Sequence, residues 1–156
     1  MKFLHTMIRI TDIDESLHFF CTVLGLQEIR RYDNDKGRFS LIFLAAPQQL
    51  DLAKQEKTPL IELTYNWDPE VYEGGRNFGH LAFEVPHIYD TCKKLLEHNI
   101  TILRPPKDGR MAFIKSPDNI SIELLQAGDA LPVMKFARAL TMRIFSLSVY
   151  GFYPGA

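Results

Sequence analysis

The sequence predicts an α+β fold of two tandem βαβββ modules with curved mixed sheets, followed by a partly helical C-terminal extension. A strand-like segment followed by an amphipathic helix occurs twice, as "FLHTMIRITDIDESLHFF" and as "GHLAFEVPHIYDTCKKLL". Three strand-like segments follow each copy, and the last contains "IEL" both times, in "LIELTY" and "SIELLQ". A repeat of this kind sets the prediction of the fold. We expect modules at 1–66 and 78–127, a linker at 67–77 and an extension at 128–156.

The first module begins with a strand at 3–10 and continues with a helix at 12–26. Asp12 or Asp14 can accept hydrogen bonds from the free N–H groups at the helix start, and Gly25 is typical of a helix end. The apolar stripe of this helix, at helical spacing, consists of Leu17, Phe20 and Leu24. Further strands are predicted at about 27–33, 38–44 and 59–65. The polar stretch "APQQLDLAKQEKT" is interpreted as a loop insertion.

The second module repeats this order with less insertion. A strand is predicted at 79–85 and a helix at 87–99. The three remaining strands are predicted near 100–104, 110–115 and 120–126.

Composition indicates an ordinary soluble protein. The chain has 156 residues, of which 46% are hydrophobic and 24% charged, with a formal net charge of −1. That charge offers no broad attraction to nucleic acid. No apolar run approaches the roughly 20 residues that span a bilayer, and no signal peptide is evident. Two cysteines in helical segments, Cys21 and Cys92, favour a reducing compartment, so we expect a cytoplasmic protein.

Each module opens with a histidine and closes with a glutamate on a strand. Because side chains alternate across a strand, His5, His80, Glu62 and Glu123 all lie opposite the face that packs under the helices. Two imidazoles and two carboxylates, with room for water, suit a divalent transition metal. Since no cysteine belongs to the set, a structural zinc site is disfavoured. The alternative is a pair of buried His–Glu hydrogen bonds.

The segments "LHTMIRITDIDESLHFFCTVLGL", "PLIELTYNW", "FGHLAFEV" and "AFIKSPDNISIELLQ" resemble those of glyoxalase I, the lactoylglutathione lyase family of the vicinal-oxygen-chelate superfamily. The resemblance covers about residues 1–127. It implies that His5, Glu62, His80 and Glu123 bind one divalent metal per site. It also implies a homodimer in which each site is shared, with His5 and Glu62 from one chain and His80 and Glu123 from its partner.

The resemblance further implies the reaction. Family members isomerise the hemithioacetal of methylglyoxal and glutathione to S-lactoylglutathione, a detoxification in which a carboxylate transfers a proton through a metal-stabilised enediolate. Glu123 matches the catalytic base, and Glu62 is the second candidate. Arg9 and Asn66 match residues that hold glutathione, and Arg76 matches a glutathione-binding arginine of some members. Lys107 and Arg110, in "RPPKDGRM", occupy the position of a basic loop that closes over the substrate.

The resemblance also favours Ni²⁺ or Co²⁺ over Zn²⁺. The nickel-activated group of the family, which includes bacterial members, has His at the position of His5 and a short connection between Glu62 and His80. Arg76 points the other way, since it resembles members of the zinc group.

The C-terminal extension has no counterpart in compact members of this family. A helix that opens at Pro132 would have an apolar face, which packs on the protein's own dimer or, as a basic amphipathic segment, touches a membrane surface or another protein. That face consists of Val133, Phe136, Ala137 and Leu140.

Two rival functions remain open at this stage. One is another metalloenzyme of the superfamily, either an extradiol dioxygenase or a thiol transferase. A dioxygenase would leave the second carboxylate unexplained. A transferase would have little need for Arg9 and Asn66. The other is a non-catalytic small-molecule-binding protein of the same fold, although such a protein would not need all four metal-binding side chains.

Overall fold

The computed structural model describes residues 1–133 of the chain. The chain divides into two units, one over Met1–Gly75 and one that begins at Arg76. The helix predicted to open at Pro132 falls on 134–156, which lie outside the described residues. Along the described chain, no helix combines the length and the apolar character needed to cross a bilayer.

The first unit is a four-stranded mixed sheet with helices between its strands. Its elements are β1 (His5–Ile10), α1 (Ile13–Leu17), a π-helical segment (His18–Val23), β2 (Gln27–Asn34), β3 (Phe39–Ala45), a 3-10 turn (Pro47–Gln49), α2 (Leu50–Glu56) and β4 (Leu60–Asn66). The order across the sheet is β1-β4-β3-β2, with β1 parallel to β4 and the other neighbours antiparallel.

The second unit has the same topology. Its elements are β5 (Leu81–Val85), α3 (Ile88–Glu97), β6 (Ile102–Arg104), β7 (Met111–Lys115) and β8 (Ser121–Gln126). The order is β5-β8-β7-β6, and again only the first pair is parallel. The predicted fold of two βαβββ modules with mixed sheets is therefore confirmed.

The first helix starts and ends where the sequence predicts, but its interior differs. Asp12 accepts a hydrogen bond from the N–H of Glu15 at 2.8 Å, and Gly25 has a φ of +87°. From His18 the helix widens to π geometry, so the N–H of Leu24 bonds the carbonyl of Phe19 at 3.0 Å. The wider turn changes which side chains face the core. The buried ones are Phe19, Phe20 and Val23, rather than the predicted Leu17, Phe20 and Leu24.

The stretch predicted as a loop insertion contains α2, so that prediction was wrong. Its Lys, Gln and Glu residues are good helix formers. Only Ala53 is fully buried, against a cluster that includes Phe43 and Leu60. A single small residue leaves too weak an apolar stripe for periodicity to detect.

Burial follows the predicted alternation along β1. Ile8 and Ile10 are buried, whereas His5, Met7 and Arg9 are exposed on the opposite face. We call this face of β1, together with the same face of β5, the open face of its sheet. The open face is where the candidate site residues lie.

The end of β8 is joined to the start of α3 through one buried side chain. Gln126 accepts a hydrogen bond from the N–H of Ile88 at 2.8 Å and donates to the carbonyl of Pro86 at 2.9 Å. Both polar ends of this amide are therefore satisfied, which removes the cost of burying it. This contact fixes the connection between β5 and α3 against the end of β8.

Candidate metal centre

The first His–Glu pair lies where β1 runs parallel to β4. Met7 is opposite Glu62 in the register, so His5, two residues earlier on the same face, is diagonal to that carboxylate. The distance from His5 Nε2 to Glu62 Oε2 is 3.1 Å. Glu62 is nearly buried in an inner strand, and the imidazole is the partner that offsets the cost of that position.

The second pair repeats this geometry. Ala82 is opposite Glu123, just as Met7 is opposite Glu62. The strand predicted at 79–85 begins at Leu81 in the structure, so His80 directly precedes β5. Its Nε2 lies 3.0 Å from Glu123 Oε2. The two pairs therefore occupy equivalent register positions in the two sheets.

The imidazoles are more exposed than the carboxylates that they contact. Their side chains are 36% exposed for His5 and 42% for His80. The carboxylates are more enclosed, at 12% for Glu62 and 14% for Glu123. Each pair thus makes the His–Glu contact of the alternative interpretation, but with an imidazole that is not buried.

An aromatic ring supports each histidine, a contact that sequence reasoning missed. Phe43 is opposite Glu62 on the neighbouring strand and meets the His5 ring edge-on at a centroid distance of 6.0 Å. Phe113 is opposite Glu123 and meets His80 in the same way at 5.4 Å. These contacts restrict the orientation of the imidazoles.

An arginine stands beside each of these rings in the next strand. Arg30 is opposite Phe43, and its Cζ lies 3.8 Å from the ring centre. Arg104 is opposite Phe113 in the second unit. The repeat comparison could have found this Arg–Phe row if the antiparallel register had been known.

The environments of the two carboxylates differ at one position. Thr64 Oγ1 donates a long hydrogen bond of 3.4 Å to Glu62 Oε1. The equivalent residue beside Glu123 is Leu125, which has no donor in its side chain. The two carboxylates therefore differ in one side-chain hydrogen-bond donor.

The predicted substrate residues Arg9 and Asn66 lie in one cluster on the first unit. Asn66 Nδ2 donates to Glu70 Oε2 at 2.8 Å and to the Tyr72 hydroxyl at 3.2 Å. Burial and the charge of Glu70 raise the pKa of Tyr72, while the charge of Arg9 and the bond from Asn66 lower it. The positive charge of Arg9 therefore acts at the same place as the Asn66 amide.

A bonded turn fixes the backbone immediately after Asn66. Trp67 donates through Nε1 to Ser40 Oγ at 2.9 Å, and its N–H bonds the carbonyl of Arg38 at 2.9 Å. Arg38 also forms a bidentate pair with Asp68 at 2.8 and 2.7 Å. We call Trp67, Asp68 and their partners the Trp67 anchor.

The other predicted substrate residues are solvent-exposed. Arg76 lies at the start of the second unit, and Lys107 and Arg110 lie in the connection between β6 and β7. Asp108 shapes that connection, since its Oδ1 accepts from the N–H groups of Arg110 and Met111, and these bonds hold the pKa of Asp108 below its usual range. The assignment of these cations to substrate remains a prediction.

The remaining histidines and the two cysteines lie in or beside the helical segments. His87 caps α3 by accepting from the N–H of Asp90 at 3.3 Å. His18 lies in the π-helical segment and His98 follows α3. Cys21 and Cys92 are both free thiols, and burial raises the pKa of Cys92 to about 12, which makes it unreactive.

Each unit contains two of the four predicted metal ligands. Within residues 1–133, no three His, Cys, Asp or Glu side chains converge on one point. One imidazole nitrogen and one carboxylate at about hydrogen-bond distance make half of the donor set that borderline divalent metals prefer. The donors therefore fit such a metal, and the complete predicted set needs both kinds of unit.

Comparisons with known proteins agree on the family. A model of the Glyoxalase/Bleomycin resistance protein/Dioxygenase superfamily matches residues 2–124. A probable lactoylglutathione lyase of Synechocystis sp. is 40% identical over 131 residues, covering 81% of this chain and 95% of that protein. The lactoylglutathione lyase of Neisseria meningitidis is 37% identical over 131 residues, covering 81% of this chain and 91% of that protein.

Solved structures give the same result. The trypanothione-dependent glyoxalase I of Leishmania major superposes with a TM-score of 0.72 at 27% identity, covering 96% of both chains. Glyoxalase I of Zea mays superposes with a TM-score of 0.70 at 25% identity, covering 82% of this chain and 45% of the maize chain.

Proposed function

Because the chain belongs to the Glyoxalase/Bleomycin resistance protein/Dioxygenase superfamily, and within it to the lactoylglutathione lyases, we propose that it isomerises the hemithioacetal of methylglyoxal and glutathione to S-lactoylglutathione. The single observation that supports this most is the pair of His–Glu contacts in equivalent registers. The two free cysteines are consistent with a reducing, cytoplasmic setting.

His5, Glu62, His80 and Glu123 would hold one divalent metal ion. When bound, the ion supplies Lewis acidity toward the two neighbouring oxygens of the substrate. The protein positions its own groups in advance, since Phe43 and Phe113 fix the imidazoles edge-on.

Glu123 is the proposed base that takes the proton from one carbon and returns it to the next. The residue two positions beyond it is Leu125, whereas Glu62 accepts a hydrogen bond from Thr64. General-base catalysis needs a carboxylate oxygen within hydrogen-bond reach of the proton, and no threonine hydroxyl competes for the oxygens of Glu123 in this way. Glu62 would then act mainly as a ligand.

Arg9 and Asn66 are the proposed holders of a glutathione carboxylate. Both lie on the open face of the first unit, and together they offer a guanidinium and an amide donor. Arg76, Lys107 and Arg110 are exposed cations that could neutralise the second carboxylate.

The proposed dimer shares its sites between chains. A protein with His5→Ala is mixed with one carrying His80→Ala under conditions of subunit exchange. With shared sites, the mixed dimer has one doubly damaged and one intact site, so activity rises above that of either variant alone. Each variant incubated with itself is the control, and no gain in the mixture contradicts the shared site.

The proposed metal is Ni²⁺ or Co²⁺. Two imidazoles and two carboxylates would suit Ni²⁺ or Co²⁺, and the choice over Zn²⁺ rests on the histidine at position 5 and on the short connection between Glu62 and His80. Metal-free protein should regain S-lactoylglutathione formation with Ni²⁺ or Co²⁺ and little with Zn²⁺. Full recovery with Zn²⁺ alone contradicts the choice of metal, and no product with any metal contradicts the function.

A further inference from the structure

The side-chain amide of Asn66, a proposed substrate-binding group, is already hydrogen-bonded to a carboxylate of the same chain. Asn66 Nδ2 donates to Glu70 Oε2 at 2.8 Å and to the hydroxyl of Tyr72 at 3.2 Å. A side-chain amide nitrogen has only two hydrogens to donate. Both are used within the chain, so none remains for a substrate carboxylate.

The charge balance of this cluster indicates what kind of group belongs there. Glu70 is a carboxylate, and the charge of Arg9 acts on the same hydroxyl of Tyr72 in the opposite direction to that of Glu70. An amide donor beside a guanidinium is a site that selects a carboxylate. Glu70 thus has the chemistry of the ligand rather than of the receptor.

Glu70 lies on a stretch from which it can withdraw. The Trp67 anchor holds the chain as far as Asp68, whereas Glu70 follows it in a segment without strand or helix. Next to it, Val71 is 89% exposed. Displacing the Glu70 side chain therefore breaks its bonds in this cluster without disturbing a ladder bond of the sheet.

We propose that Glu70 is a specificity-determining residue, an internal carboxylate that holds Asn66 until the carboxylate of a substrate displaces it. This inference rests on the proposed function, because the incoming group is a carboxylate of the glutathione moiety. A weakly held anion cannot displace Glu70, whereas a ligand held at several further points can. Glu70 therefore lowers the affinity for every anion and does so most effectively for small ones.

The test compares Glu70→Gln with Glu73→Gln, which removes an exposed charge from the same segment. Binding of S-methylglutathione to the metal-loaded protein is measured by calorimetry, with KM and kcat for the hemithioacetal measured in parallel. We expect Glu70→Gln to lower Kd and KM about 5-fold or more, since like charges at about 4 Å repel by about that factor even in water. The effect should shrink at high salt, kcat should change little, and Glu73→Gln should match the wild type.

The outcomes separate this inference from the function on which it rests. If the wild type binds S-methylglutathione and Glu70→Gln binds it equally or more weakly, Glu70 does not compete, and weaker binding would indicate that it accepts the substrate ammonium instead. Either result overturns the inference alone. If wild type and both variants neither bind nor form product, the proposed function fails and this inference fails with it.

Discussion

The two units have the same strand topology but carry different side chains on their open faces. The His–Glu pairs occupy equivalent positions in both. In the first unit, Arg9 and Asn66 stand near the pair, whereas Glu84 and Ala127 stand at the equivalent positions of the second. The proposed metal ligands are thus symmetric, whereas the proposed Arg9–Asn66 carboxylate site has no equivalent in the second unit. A repeated fold could therefore supply a symmetric metal site while its two copies contact different parts of the substrate.

The largest expected difference between the units concerns their carboxylates. Glu123→Gln should lower kcat about 10²- to 10⁴-fold, the usual contribution of a general base, because Gln retains an oxygen donor but loses basicity. Glu62→Gln should weaken metal binding and, at saturating metal, reduce kcat less. For both variants, kcat is measured by steady-state kinetics and the metal content of the protein is determined separately. Near-normal kcat in metal-loaded Glu123→Gln would remove Glu123 as the base.

A smaller difference should appear when one charge is removed from each open face. Arg9→Gln should raise KM about 10- to 100-fold, since a hydrogen bond to a charged group contributes about 1.5–3 kcal/mol. Glu84→Gln, the matched change in the second unit, should leave KM within the error of measurement. Steady-state kinetics with the hemithioacetal gives KM for both variants. Equal effects of the two changes would argue against a carboxylate site that is specific to the open face of the first unit.

The smallest difference concerns the arginines beside the two aromatic rings. Arg30→Gln should reduce the free energy of unfolding by about 0.5–1 kcal/mol, the value of an exposed cation–π contact. Urea unfolding followed by the fluorescence of Trp67, the only tryptophan, reports on the first unit. Arg104→Gln, in the other unit, should leave this transition unchanged. A shift of the same size from Arg104→Gln would mean that the Phe43 contact is not the cause.

Sequence alone predicted the strands and placed His5 and Glu62 on the face opposite the helices, because a period of two and a repeat are both visible in one chain; the assignment of both residues to one site came from the family resemblance. It could not predict that Phe43 and Arg30 stand in the same row, since parity does not reveal which residue of one strand opposes which of the next. A register irregularity between Glu28 and Arg30 shifts that pairing further. Glu70 escaped notice for another reason: it lies in an irregular stretch without periodicity.

The division of the proposed metal ligands into two pairs has a consequence for how the protein would respond to dilution. In the proposed dimer, an ion that requires both pairs would bind only where two chains meet, so metal affinity and chain association would be thermodynamically linked. Each metal ion would also be a bridge between subunits. The apparent metal affinity would then depend on protein concentration, and a chelator would promote dissociation of the chains.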